Sequence, residues 1–82
     1  MRAEDILPDA LDHADVAGLR IRKGTVAAFL ANAKAWCDAS TDAGARSEAE
    51  ARIREALPSL RALGLFDVLQ VRDPALRALV EP

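Results

Sequence analysis

The chain has a single cysteine, Cys37, so no disulfide can form within it. A lone thiol without a bridging framework points to a reducing compartment, and a cytoplasmic protein is expected. Aromatic side chains are almost absent: Phe29, Trp36 and Phe66, with no tyrosine. Large stacking platforms for bases are therefore missing, apart from the surroundings of Trp36. No apolar run approaches the roughly 20 residues that a membrane span needs. The first residues lack a basic stretch followed by an apolar one, so no secretory signal is expected either. Strong charge is lacking as well, with a formal net value of −2. Nothing pulls the whole chain toward nucleic acid.

What is present is alanine, 18 of 82 residues, followed by leucine at 11. Both favour helix. A chain of 82 residues is read as one domain, 1–82. At this size only about 60% of the unfolded surface is buried, and the core supports on the order of 3–5 kcal/mol.

Charge is segregated along the chain. Residues 1–17 set Arg2 against Glu4, Asp5, Asp9, Asp12 and Asp15, a net of −4. Residues 18–36 carry Arg20, Arg22, Lys23 and Lys34 and no acid, a net of +4. The simplest account is that the two blocks face each other across a turn.

Residues 3–7 could open a helix, but Pro8 interrupts it, so a short or irregular lead-in is expected. Leu19 and Ile21 then alternate with Arg20 and Arg22, which is strand spacing. With Ala17-Gly18 as the turn, residues near 12–16 pair with 19–23 in a short hairpin. Two strands are marginal alone and must lie on a helix or pair with another copy.

After Gly24, Thr25 is expected as an N-cap. Val26, Phe29, Leu30, Ala33 and Cys37 then form one helical stripe, with Trp36 at its margin. Residues 38–47, rich in Ser, Asp and Thr, read as a loop. Ser47 and Glu50 fit a capping box opening a second helix over 47–63. Its apolar positions are Ala49, Ile53, Ala56, Leu57, Leu60 and Leu63, and Glu48–Arg52 and Glu50–Arg54 pair at i, i+4. Pro58 is expected to kink or restart it, and Gly64 to end it. Residues 65–71 are ambiguous between a strand and a buried turn. Asp73-Pro74 then caps a last helix, 74–80, burying Leu76, Leu79 and Val80. The expected fold is α+β and mostly helical: an N-terminal hairpin, two main helices and a short C-terminal helix.

Two clusters carry a resemblance. Gly24-Thr25-Val26-Ala27 with Leu30 and Asn32, and Ala56, Pro58 and Leu60 with Gly64-Leu65-Phe66-Asp67, resemble a family of short proteobacterial proteins of unknown function. The likeness covers residues 24–69. It implies a similar fold and transfers no catalytic residue. The loop at 38–47 and the tail at 70–82 depart from that pattern.

No catalytic constellation stands out, and the chain is read as a non-enzyme without metal or cofactor. Asp9, Asp12, His13 and Asp15 match no metal-ligand spacing and read as an acidic turn facing Arg20 and Arg22. Cys37, on the apolar stripe and far from the one histidine, reads as a buried side chain rather than a nucleophile. The loop between the main helices is too long for a helix-turn-helix, and acids interrupt the second helix, which argues against DNA. The function expected is a non-catalytic interaction or assembly module, partnered with itself or another protein, without nucleic acid or membrane. Self-association would cover the hairpin edge and enlarge a thin core. Leu19, Ile21, Phe29, Trp36 and Phe66 are expected in the core or at that joint. The alternative is a site for a small anion or phosphorylated partner at Arg22, Lys23, Gly24 and Thr25, on a basic helix N-terminus.

Overall fold

The computed structural model describes residues 1, 2, 5 and 13–81. Most of the expected lead-in, with Pro8, lies outside those residues. Two antiparallel strands come first, β1 (His13–Val16) and β2 (Leu19–Arg22). The register sets His13 opposite Arg22, Ala14 opposite Ile21, Asp15 opposite Arg20 and Val16 opposite Leu19. Alternation thus gives one apolar face and one charged face, as the spacing predicts. Ala17 (φ 49°) and Gly18 (φ 80°) both take left-handed backbone, the two-residue turn whose twist matches the strands. Ile21 is buried, whereas Leu19 at the hairpin tip is 37% exposed.

Helix α1 spans Thr25–Cys37. Its cap differs from the expectation. Gly24, at φ 88°, is the N-cap residue, and Thr25 already lies inside the helix. The Thr25 hydroxyl donates to the Arg22 carbonyl at 2.7 Å, so it ties the helix back to β2 and caps no N–H. The buried stripe also differs. Phe29, Ala33 and Trp36 face the core, while Val26, Leu30 and Cys37 are exposed. The buried row is i, i+4, i+7, turned so that Trp36 moves from the margin to the centre.

Helix α2 spans Ala43–Leu63, one turn longer than the capping box suggests. Asp42 is its N-cap, accepting from the Ala45 N–H at 2.8 Å, so the loop is only 38–42. The helix runs through Pro58 as one element, without a restart. Proline removes only its own N–H, and the Arg54 carbonyl it leaves belongs to an exposed residue that water reaches. Gly64 ends the helix in left-handed backbone (φ 83°), its N–H donating to the carbonyls of Leu60 and Arg61. A single helical turn follows, α3 (Leu65–Val68), so the ambiguous segment is helical over 65–68 and forms neither helix nor strand over 69–71. Asp73 caps α4 (Pro74–Val80) by accepting from the Leu76 N–H at 2.9 Å, with Pro74 at the first position. The fold is therefore the α+β, mostly helical arrangement expected from the sequence.

The core lies between α1 and α2 and is closed at one end by α4. It comprises Phe29, Ala33, Trp36, Ala49, Ile53, Leu57, Leu60, Leu76 and Val80. Ile53 and Leu60 are fully shielded. Phe66 is half-buried and packs edge-on against Phe29, with ring centroids 6.2 Å apart at 77°. Leu63 and Leu79 are less covered than their spacing suggests: Leu63 is exposed and Leu79 half-buried. Two polar clasps hold the helices in place. The Trp36 indole N–H donates to Glu50 at 3.2 Å, and the Arg46 guanidinium lies 4.1 Å from its ring centre. Arg61 donates to the Val80 carbonyl at 3.0 Å, fixing α4 to α2. Both strands of the hairpin pack on α2. Among the described residues no helix is long and apolar enough to cross a membrane.

Candidate functional site

Two surfaces of the molecule combine concavity with unusual side chains. They meet at Phe29, which lines both.

The first is apolar. When α1 turns Phe29, Ala33 and Trp36 inward, Val26 and Leu30 are left on the outside, one helical turn apart. The αL ending at Gly64 swings the chain back over this flank and brings α3 beside them. Val26, Phe29, Leu30, Leu65, Phe66 and Leu69 line one groove of about 230 Å³. Val26, Leu63, Leu65, Val68 and Leu69 line a second of about 290 Å³. The shared residues make the two a continuous surface. Val68 is 84% exposed and Leu69 58%, unusual for apolar side chains in one cluster. Its rim is charged. Lys34 continues the Val26–Leu30 row by one turn, and the Asp67 carboxylate sits beside Gly64, which also lines the second groove.

The second surface is a basic cleft of about 570 Å³ between β2, α1 and α2. Arg20 and Arg22 are two apart on one strand and so share its charged face. Across from them, α2 contributes Arg52, Glu55 and Ser59. The floor is apolar: Ala28, Phe29 and Ala56. Arg20 donates to His13 Nε2. Arg52 is held from two sides, by Glu48 at 2.9 Å through Nε and by Glu55 through Nη1. These hydrogen bonds, Glu48's first, strengthen its hold on the proton.

The expected anion residues divide between surfaces. Arg22 and Thr25 line the cleft, while Lys23 and Gly24 do not. Arg20, Arg52 and Ser59 join from elsewhere, and no local motif marks them. Of the expected core or joint residues, Ile21, Phe29 and Trp36 are buried, Phe66 is half-buried and Leu19 is exposed at the tip. The apolar surface is instead built by Val26, Leu30, Leu63, Val68 and Leu69. A signal for it did exist: more apolar positions on α1 than one stripe can bury.

Of the acidic cluster, Asp9 and Asp12 lie outside the described residues, and Asp15 stands directly opposite Arg20 in the register. Among the described residues no group of three or more His, Cys, Asp or Glu could hold a metal ion. Cys37 is exposed, contrary to its expected burial. Partial desolvation pushes its thiol pKa up, the Asp73 carboxylate adds to this, and Arg46 opposes both. No family model matches the chain, and no curated protein or solved structure shows significant similarity to it.

Proposed function

We propose that this protein is a non-catalytic assembly module that pairs with a second copy of itself through the apolar surface of α1 and α3. The observation that carries the reading is the cluster of exposed apolar side chains, Val26, Leu30, Leu63, Val68 and Leu69, on a chain with so small a core. Apolar groups gathered in this way lower their free energy by about 25 cal/mol for each Å² removed from water. A second copy is the occupant that suits the surface. Val68 protrudes beside a groove of its own kind of lining, so a two-fold axis lets each copy's Val68 enter the other's groove. The rim agrees in sign, with Lys34 on α1 and Asp67 on α3, and the proposed pairing sets Lys34 of each copy against Asp67 of the other. Charge then favours the pairing and fixes its register. A cytoplasmic location fits the single exposed thiol.

Sedimentation equilibrium from micromolar to submillimolar concentration tests this. A dimer is expected, and Leu30→Asp or Val68→Asp should give a monomer with unchanged far-UV circular dichroism. Lys34→Asp and Asp67→Lys should each weaken the dimer, and the double exchange should restore it. A monomer throughout that range, or a dimer indifferent to both aspartate substitutions, refutes the proposal.

A further inference from the structure

We propose that the basic cleft binds a phosphomonoester, its phosphate held by Arg20, Arg22 and Arg52 and its organic portion lying on Ala28, Phe29 and Ala56. This goes beyond self-association and uses a different surface, which shares Phe29 with the apolar groove.

Charge is the first reason. Three guanidinium groups and one carboxylate, Glu55, line the cleft, and Glu48 pairs with Arg52 from just outside it, a net of +3 − 2 = +1 that rests on Arg20 and Arg22. A phosphomonoester carries about −1.5 to −2 at neutral pH, most of which such a cleft offsets. Two strand residues approach from one wall and one helix residue from the other, so positive charge reaches the cleft from both walls.

Donor availability is the second. Arg52 spends Nε on Glu48 and Nη1 on Glu55, which fixes its plane and leaves Nη2 for a ligand. Among the described residues the Arg22 guanidinium has no hydrogen-bonding partner. Arg20 uses Nη2 on His13 and keeps its remaining N–H groups. Guanidinium forks match phosphate oxygens two at a time, and a plane already fixed loses little freedom on binding. The Ser59 hydroxyl stands on the same wall as Arg52 and can add a neutral donor.

Shape is the third. About 570 Å³ falls within the ordinary range for small-molecule sites, roughly 300–1,000 Å³. One charged rim above an apolar floor calls for a ligand with one charged end and one apolar end. The scarcity of aromatic residues leaves Phe29 as the one ring in the lining, so the organic portion is held by contact and not by stacking between two planes.

The test is a ¹⁵N–¹H NMR titration with phenyl phosphate and with inorganic phosphate, at ionic strength held constant with chloride. Saturable shifts are expected at the amides of Arg22, Asn32, Arg52 and Ser59, with phenyl phosphate binding more tightly than inorganic phosphate. Arg20→Ala/Arg22→Ala should weaken phenyl phosphate by about tenfold or more, since hydrogen bonds to charged groups are at stake. Arg22→Lys should lose less, and Arg72→Ala, outside the cleft lining, nothing. Should the hairpin double variant fail to fold, Arg52→Gln on the other wall supplies the same reading. Binding retained in the monomeric Leu30→Asp variant separates this proposal from self-association. Shifts that grow linearly and track chloride would overturn it. So would an affinity unchanged in the folded arginine variants, or succinate binding as tightly as phenyl phosphate.

Discussion

Replacing Trp36 by phenylalanine is expected to destabilise the protein by about 2–3 kcal/mol, and the geometry supplies each part of that figure. The indole N–H donates to a Glu50 carboxylate at 3.2 Å, toward the long end of the normal range. Glu50 is 39% exposed and also pairs with Arg54, so the bond belongs near the low end for a charged partner, about 1.5 kcal/mol. Trp36 itself is only 8% exposed, so the carbon lost between indole and phenyl leaves a small void worth about 1 kcal/mol. The Arg46 cation over the ring persists with the weaker phenyl face, a loss of about 0.5 kcal/mol at most. For a chain of this size the sum corresponds to a fall in melting temperature of about 10–20 °C. Far-UV circular dichroism at fixed protein concentration measures it, because association makes melting concentration-dependent and the variant has no tryptophan left to follow by fluorescence. A fall below about 3 °C would mean that the indole is solvated. The rotation of α1 that exposes Val26 and Leu30 would then be wrong as well.

Three further outcomes follow from the same structure. Gly64→Ala places a Cβ 3.2 Å from the Asp67 carboxylate in left-handed backbone, and a loss of about 1–2 kcal/mol is expected in urea denaturation. Ala17→Asn should stabilise the hairpin by about 0.5–1 kcal/mol, because Ala17 sits at φ 49° and asparagine tolerates that region; slower amide exchange in β1 and β2 would show it. Cys37 should alkylate completely with iodoacetamide in the native protein. Its thiol pKa is raised, so the thiolate is scarcer at neutral pH, and the rate should plateau at higher pH than for a cysteine peptide. A thiol that reacts only after denaturant is added would contradict its placement.

The parts of the fold that could be read from sequence are those decided within a few residues. The alternation of Leu19 to Arg22 and the Ala17-Gly18 step specify the hairpin, because pleat and turn are local. Asp73-Pro74 and Gly64 specify helix ends for the same reason. The facing of α1 was not legible, since Ala27, Ala28, Ala31, Ala33 and Ala35 make every side of it mildly apolar. Trp36 faces inward through Glu50 and Arg46, which belong to another helix. The start of α2 had two competent caps, Asp42 and Ser47, and the earlier one adds the turn that carries Arg46 to the Trp36 carbonyl at 3.2 Å. Thr25 misled because a hydroxyl can donate as well as accept, and the Arg22 carbonyl was within reach. The basic cleft draws on residues some 30 positions apart, and only the packing of β2 against α2 brings them together.

Phe29 stands as a party wall, lining both the guanidinium cleft and the greasy groove, and its edge-on neighbour Phe66 lines that groove too. A ring so placed cannot tilt for one tenant without altering the room of the other. Where both rooms are let, thermodynamic reciprocity fixes the exchange: whatever factor the small ligand imposes on the pairing of chains, pairing imposes on the small ligand.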